Sequence, residues 1–136
     1  MRTLNIFFAI SLALLLGACS STPNWDSYSP VEAENLQAMG VSVSDANAYR
    51  EMGFNSETIK RWHDAGITDR RTVTTWHDAG FPAVEAGAWK GAGFDLKTAM
   101  KWRDAGFNAE EAKDWASKDF DLKEATKLRS KGLSAD

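Results

Sequence analysis

The chain has 136 residues, a net charge of −3, six tryptophans, seven phenylalanines and a single cysteine. That length gives room for one domain, the aromatic load excludes a disordered chain, and the mild acidity leaves no basic field for nucleic acid. One cysteine excludes an internal disulfide framework and a cysteine-based metal site.

In chain order, Met1-Arg2-Thr3 is a short basic start. Leu4 to Leu16 is an apolar run interrupted only by Asn5 and Ser11. Its length suits a signal peptide and falls short of the roughly 20 residues that cross a bilayer. Leu16-Gly17-Ala18-Cys19 follows: an aliphatic residue, two small ones and the only thiol. This resembles the lipobox of bacterial lipoproteins, and the resemblance covers about residues 1–20. It implies a leader over 1–18, cleavage before Cys19, and lipidation of that cysteine by a thioether diacylglyceryl group, usually with an N-acyl chain. One acyl chain binds a membrane marginally, whereas two or more anchor stably. In Gram-negative members of the class an Asp after the cysteine commonly retains the protein in the inner membrane. Ser20 stands there instead, which implies the outer membrane with the chain facing the periplasm.

Residues 19–28 read as a tether, polar and aperiodic with Pro23 as a breaker. Trp25 and Tyr28 have two candidate places, the membrane surface or the first helix.

From there to the C-terminus, residues 29–136, the chain repeats. Tyr49, Trp62, Trp76, Trp89, Trp102 and Trp115 recur at intervals of 13, 14, 13, 13 and 13, and Leu36 and Leu128 extend the series. Four residues after most of them comes a glycine: Gly40, Gly53, Gly66, Gly80, Gly93, Gly106 and Gly132. An apolar residue follows each one. Self-similarity at a fixed period marks a repeat architecture.

Each copy predicts one short helix. Ser42, Asn55, Asp69, Asp95, Asn108 and Asp121 are N-caps, and Glu111 and Glu124 complete capping boxes with the last two. Pro82 departs from the cap pattern. Ser29-Pro30-Val31-Glu32 opens the first helix with a cap, a proline at N1 and Glu at N3. The glycine takes the left-handed C′ position. The spacing predicts eight helices, about 30–39, 43–52, 56–65, 70–79, 83–92, 96–105, 109–118 and 122–131. The extra residue of the longer interval, Thr68, falls in a turn. Ala99, Trp102 and Ala105 show the buried stripe of one copy. The fold class is all-α, an array of about eight short helices, either solenoid-like or compact. Asp119 at a glycine position and Lys118 before it mark a polar end to the array.

Candidate chemistry is sparse. His63 and His77 sit in matching Trp-His-Asp-Ala-Gly copies, a His-Asp pairing that could serve acid–base catalysis. Other copies place Arg50, Lys90, Arg103 and Arg129 in the same slot, so a basic position favoured by the helix C-terminus explains it better. Those six residues form a candidate strip for an acidic partner. The tryptophans are expected in the core rather than as a glycan ladder, because so small a helix has no other apolar stripe. No cofactor, metal site or catalytic residue is expected. The reading is a non-enzymatic, lipid-anchored envelope module that binds an envelope protein or peptidoglycan. The alternatives are a structural spacer and a small hydrolase using His63 or His77.

Overall fold

A helix begins in this chain wherever a side chain can take up an amide of its open first turn. The computed structural model describes residues 24–135, which form eight α-helices and no strand; Cys19 and the leader lie outside the described residues. The helices are α1 (Pro30–Ala38), α2 (Val43–Glu51), α3 (Ser56–Asp64), α4 (Arg70–Asp78), α5 (Ala83–Gly91), α6 (Leu96–Asp104), α7 (Ala109–Ser117) and α8 (Leu122–Arg129). All eight start where the spacing predicts. Ser29 and the six other predicted caps accept the backbone N–H three residues on, at 2.7–3.2 Å. Both capping boxes form, and Pro82 caps α5 by backbone alone. The helices end one residue earlier than expected, two in α8. The residue before the glycine already has ψ near zero, as at Met39 and Ala65.

The turn then closes in the same way each time. The glycines take φ of 72–88° and Asp119 takes 63°, a region that Asp tolerates better than most residues. The next amide bonds back to the carbonyl of the repeat's large residue, as Phe94 does to Trp89 at 3.1 Å and Phe107 to Trp102 at 3.0 Å. This is a Schellman closure, and it lays each Phe edge-on to its own Trp. The Trp76–Phe81, Trp89–Phe94, Trp102–Phe107 and Trp115–Phe120 centroids lie 4.9–5.4 Å apart, a favourable arrangement for aromatic pairs. The tryptophans are core: Trp89 is fully buried and none of the other four on the repeat exceeds 4% exposure. The residue three before each is buried too, from Ala33 to Ala125.

Helices two apart in sequence stack on each other. In one layer α1 meets α3, α3 meets α5 and α5 meets α7. In the other, Arg70 of α4 bonds Asp45 of α2, Arg103 of α6 reaches the end of α4, and Arg129 of α8 reaches the end of α6. The structural unit is therefore a helix pair, twice the 13-residue spacing. A ten-residue helix is marginal alone, and this two-layer stack is what buries its stripe.

The stretch read as a tether joins the array at its C-terminal end. Trp25 and Tyr28 pack edge-on at 5.3 Å, the Tyr28 hydroxyl donates to Asn47 at 2.9 Å, and the Arg50 guanidinium lies 3.9 Å over the Tyr28 ring. These contacts fall on α2 rather than on the first helix.

Candidate functional site

The basic slot splits between the layers. Arg50, His77, Arg103 and Arg129 belong to α2, α4, α6 and α8, whereas His63 and Lys90 belong to α3 and α5. The six residues therefore do not form one continuous row. In the even layer the slot holds the stack together. Arg103 lies 3.8 Å over the Phe81 ring and donates to the Ala79 and Gly80 carbonyls, both at 3.3 Å. Arg129 repeats this over Phe107 at 3.5 Å, donating to Ala105 and Gly106. Arg50 does the same to Tyr28 and Ser27. His77 sets its ring edge-on to Phe54 at 4.8 Å, with Asp78 3.3 Å from Nδ1.

Each arginine thus covers the closing aromatic of the helix two before it and takes up that helix's last carbonyls. A planar guanidinium suits both tasks. The Trp25–Tyr28 turn, in which the Tyr28 amide bonds the Trp25 carbonyl at 2.9 Å, stands in for a helix end beneath Arg50. These contacts make the arginines part of the stack rather than a free strip for a partner. Arg103→Ala is expected to cost about 1–2 kcal/mol, combining stacking with hydrogen bonds from a charged group. Lys90→Ala should stay within about 0.5 kcal/mol. Chemical denaturation of the two variants checks this, and equal midpoints would refute the clamp.

A different cluster stands out where the repeat is irregular. A cleft of about 350 Å³ is lined by Met39, Gly40, Val41, Asp45, Tyr49, His63, Thr68 and Arg70. Two of these are departures from the repeat, Tyr49 in place of tryptophan and the inserted Thr68, while His63 occupies the basic slot as His77 does. Tyr49 is 1% exposed. The Tyr49 hydroxyl and the His63 Nε2 are buried without a hydrogen-bond partner, and they are the two such side-chain atoms among the described residues. Buried polar groups are seldom left this way.

The electrostatics of the cleft follow from the same burial. Arg70 Nε donates to Asp45 Oδ1 and holds that carboxyl below its usual range. Burial, helped by Asp45, pushes the Tyr49 hydroxyl up to about 12. Burial also lowers the His63 ring below its ordinary value. At neutral pH the phenol keeps its proton and the imidazole is neutral. Asp45 also accepts from the Ser42 hydroxyl at 2.9 Å, so its charge is spoken for.

Among the described residues no group of three His, Cys, Asp or Glu side chains is placed to hold a metal ion, and no helix is long and apolar enough to cross a membrane. No family model matches the chain, and neither a curated protein nor a solved structure matches it. Sequence reading weighed His63 beside His77 as twins and passed over Tyr49 and Thr68. The signal was present as two neighbouring breaks in the repeat, Tyr49 and Thr68.

Proposed function

We propose that this protein is a non-enzymatic binding module of the bacterial envelope, held to the membrane by lipid on Cys19. The observation that carries the reading is the two-layer stack. Its stabilising contacts lie inside and between helices, and it presents helix faces in regular succession along its length. Stacked helical repeats serve as binding platforms through such surfaces. His77 supports the non-catalytic reading, because its ring is engaged with Phe54 and Asp78 inside the even layer.

The lipobox adds a geometric constraint. Only residues 20–23 separate Cys19 from Asn24, next to the Trp25–Tyr28 turn that joins the array. Fully extended, those five steps reach roughly 18 Å. The module would work against the membrane surface rather than at a distance from it.

Cys19→Ser is expected to abolish lipid labelling and leave the precursor unprocessed. A variant still cleaved and membrane-bound would overturn the anchoring. Crosslinking in intact cells followed by capture should then recover a specific envelope partner with the wild-type chain. A chain that recovers none is a spacer.

A further inference from the structure

The chain is acidic as a whole, yet its cations are sorted by layer. The odd helices α1, α3, α5 and α7 hold eight Asp or Glu and four Lys or Arg. The even helices α2, α4, α6 and α8 hold nine Lys or Arg and five Asp or Glu. Three of those nine are the arginines laid over aromatic rings, and Arg70 is paired with Asp45. The remaining five are Arg71, Lys97, Lys101, Lys123 and Lys127.

These five share one face of the layer. Arg71, Lys97 and Lys123 stand two residues before the buried Val73, Ala99 and Ala125, and two residues turn a helix by about 200°. Lys101 and Lys127 stand four residues further on, on the same side of their helices. All five are exposed, and none is in an ion pair among the described residues. The acids beside them have other contacts. Asp95, Asp121 and Glu124 accept backbone amides at the starts of α6 and α8, where the helix dipole offsets their charge. Asp78 lies 3.3 Å from His77 and Asp104 3.9 Å from Arg103.

The start of the chain selects the surface that such a face meets. The Trp25–Tyr28 turn sits under Arg50, at the α2 end of the even layer. Cys19 lies within roughly 18 Å of Asn24 when the chain is extended. A lipid on Cys19 therefore enters the membrane beside the layer whose other end, α6 and α8, carries four lysines. Near an anionic leaflet each such cation adds roughly a fivefold gain in binding. We infer that the outer face of the even layer, from Arg71 to Lys127, docks on an anionic phospholipid surface. This rests on the anchored-module reading and gives the module an orientation, flat on the leaflet with the acid-rich odd layer turned away.

The test mixes the full-length protein, purified in detergent, with vesicles of phosphatidylcholine alone or with about one third phosphatidylglycerol. Acetylation of each lysine is then followed by peptide mass spectrometry. On the anionic vesicles Lys97, Lys101, Lys123 and Lys127 should react at least about threefold more slowly than in detergent. Lys90 and Lys113 of the odd layer, which are exposed as well, should keep their rates. Neutral vesicles should give no such contrast, and about 0.5 M salt should remove it by screening. Lys101→Glu combined with Lys123→Glu should return Lys97 and Lys127 to their detergent rates. The melting temperature should not change, because neither replaced side chain has an ionic partner to lose.

Equal protection of both layers overturns the inference, as does protection on neutral vesicles, in high salt or in the double variant. Protection that grows with protein concentration in detergent alone assigns the face to a second copy and also overturns it. Flotation with the neutral vesicles reads the anchor separately. A chain that floats there but shows no contrast on anionic vesicles keeps its anchor and loses this face. A chain that does not float there, yet shows the contrast on anionic vesicles, keeps the face and loses the anchor.

Discussion

Trp89→Ala is expected to destabilise the protein by about 3–5 kcal/mol, the usual cost of removing a large aromatic from a packed core. Trp89 is fully buried in α5 and lies 5.3 Å from the Phe94 ring, which in turn lies 6.1 Å from Trp102. Its helix packs against α3 and α7 in its own layer and against α4 and α6 in the other. No neighbouring element can collapse into the space without abandoning a second contact. In a stacked array each unit leans on its neighbours, so the loss at α5 also weakens the link between the two halves. Thermal melting followed by circular dichroism should show a much lower midpoint and a broadened transition. Trp25→Ala, at the half-exposed end of the stack, should cost far less. A Trp89→Ala chain within about 1 kcal/mol of the parent would mean that the centre of the core has been misplaced.

Gly87→Ala is the second large effect, and its partner Gly91→Ala should act in the opposite direction. Both glycines lie in α5. A methyl added at Gly87 would stand 2.5 Å from the Ala65 carbonyl oxygen and 2.9 Å from the Ala65 Cβ, both at the end of α3. Backbone cannot yield as a flexible side chain does, so α3 and α5 must separate. Overpacking of this kind typically costs about 1–3 kcal/mol. A methyl at Gly91 meets nothing within 4 Å, and there alanine should stabilise by about 0.5–1 kcal/mol through helix propensity. Denaturant titration of both variants reads the signs directly. If Gly87→Ala is as stable as the parent, the close approach of the two helices is wrong.

Much of this fold can be read from the chain before any coordinates, because local chemistry decides it. Asp95 with Thr98, Gly106 with Phe107, and the buried apolar residue three before each repeat tryptophan (Ile59, Val73, Ala86, Ala99 and Ala112) fix where a helix starts, stops and faces. These are contacts within one copy. The stacking of α1 on α3 and α4 on α6 is not local, and the 13-residue period hides it. The clue was in the slot after the large residue, where Arg50, Arg103 and Arg129 fall on even helices and Lys90 on an odd one. Its meaning depends on a partner 22 residues back, such as Phe81 for Arg103. The candidate site was hidden for a related reason. Tyr49 and His63 are on consecutive helices and look like tolerated variation, and only the stack brings them to one cleft with Thr68 and Arg70.

The arginine clamps give the array a parity. Three of the four even helices set a guanidinium over an aromatic 22 residues back, α4 sets His77 against Phe54 in the same slot, and the odd helices make no such contact. Deleting one 13-residue copy between Phe81 and Arg103, or between Phe107 and Arg129, would break the 22-residue spacing and set that arginine against the wrong helix end. Deleting an adjacent pair restores the match. A chain of this design can lengthen or shorten only by twos, much as a coding sequence keeps its frame only in threes. Its eight helices are four indivisible units.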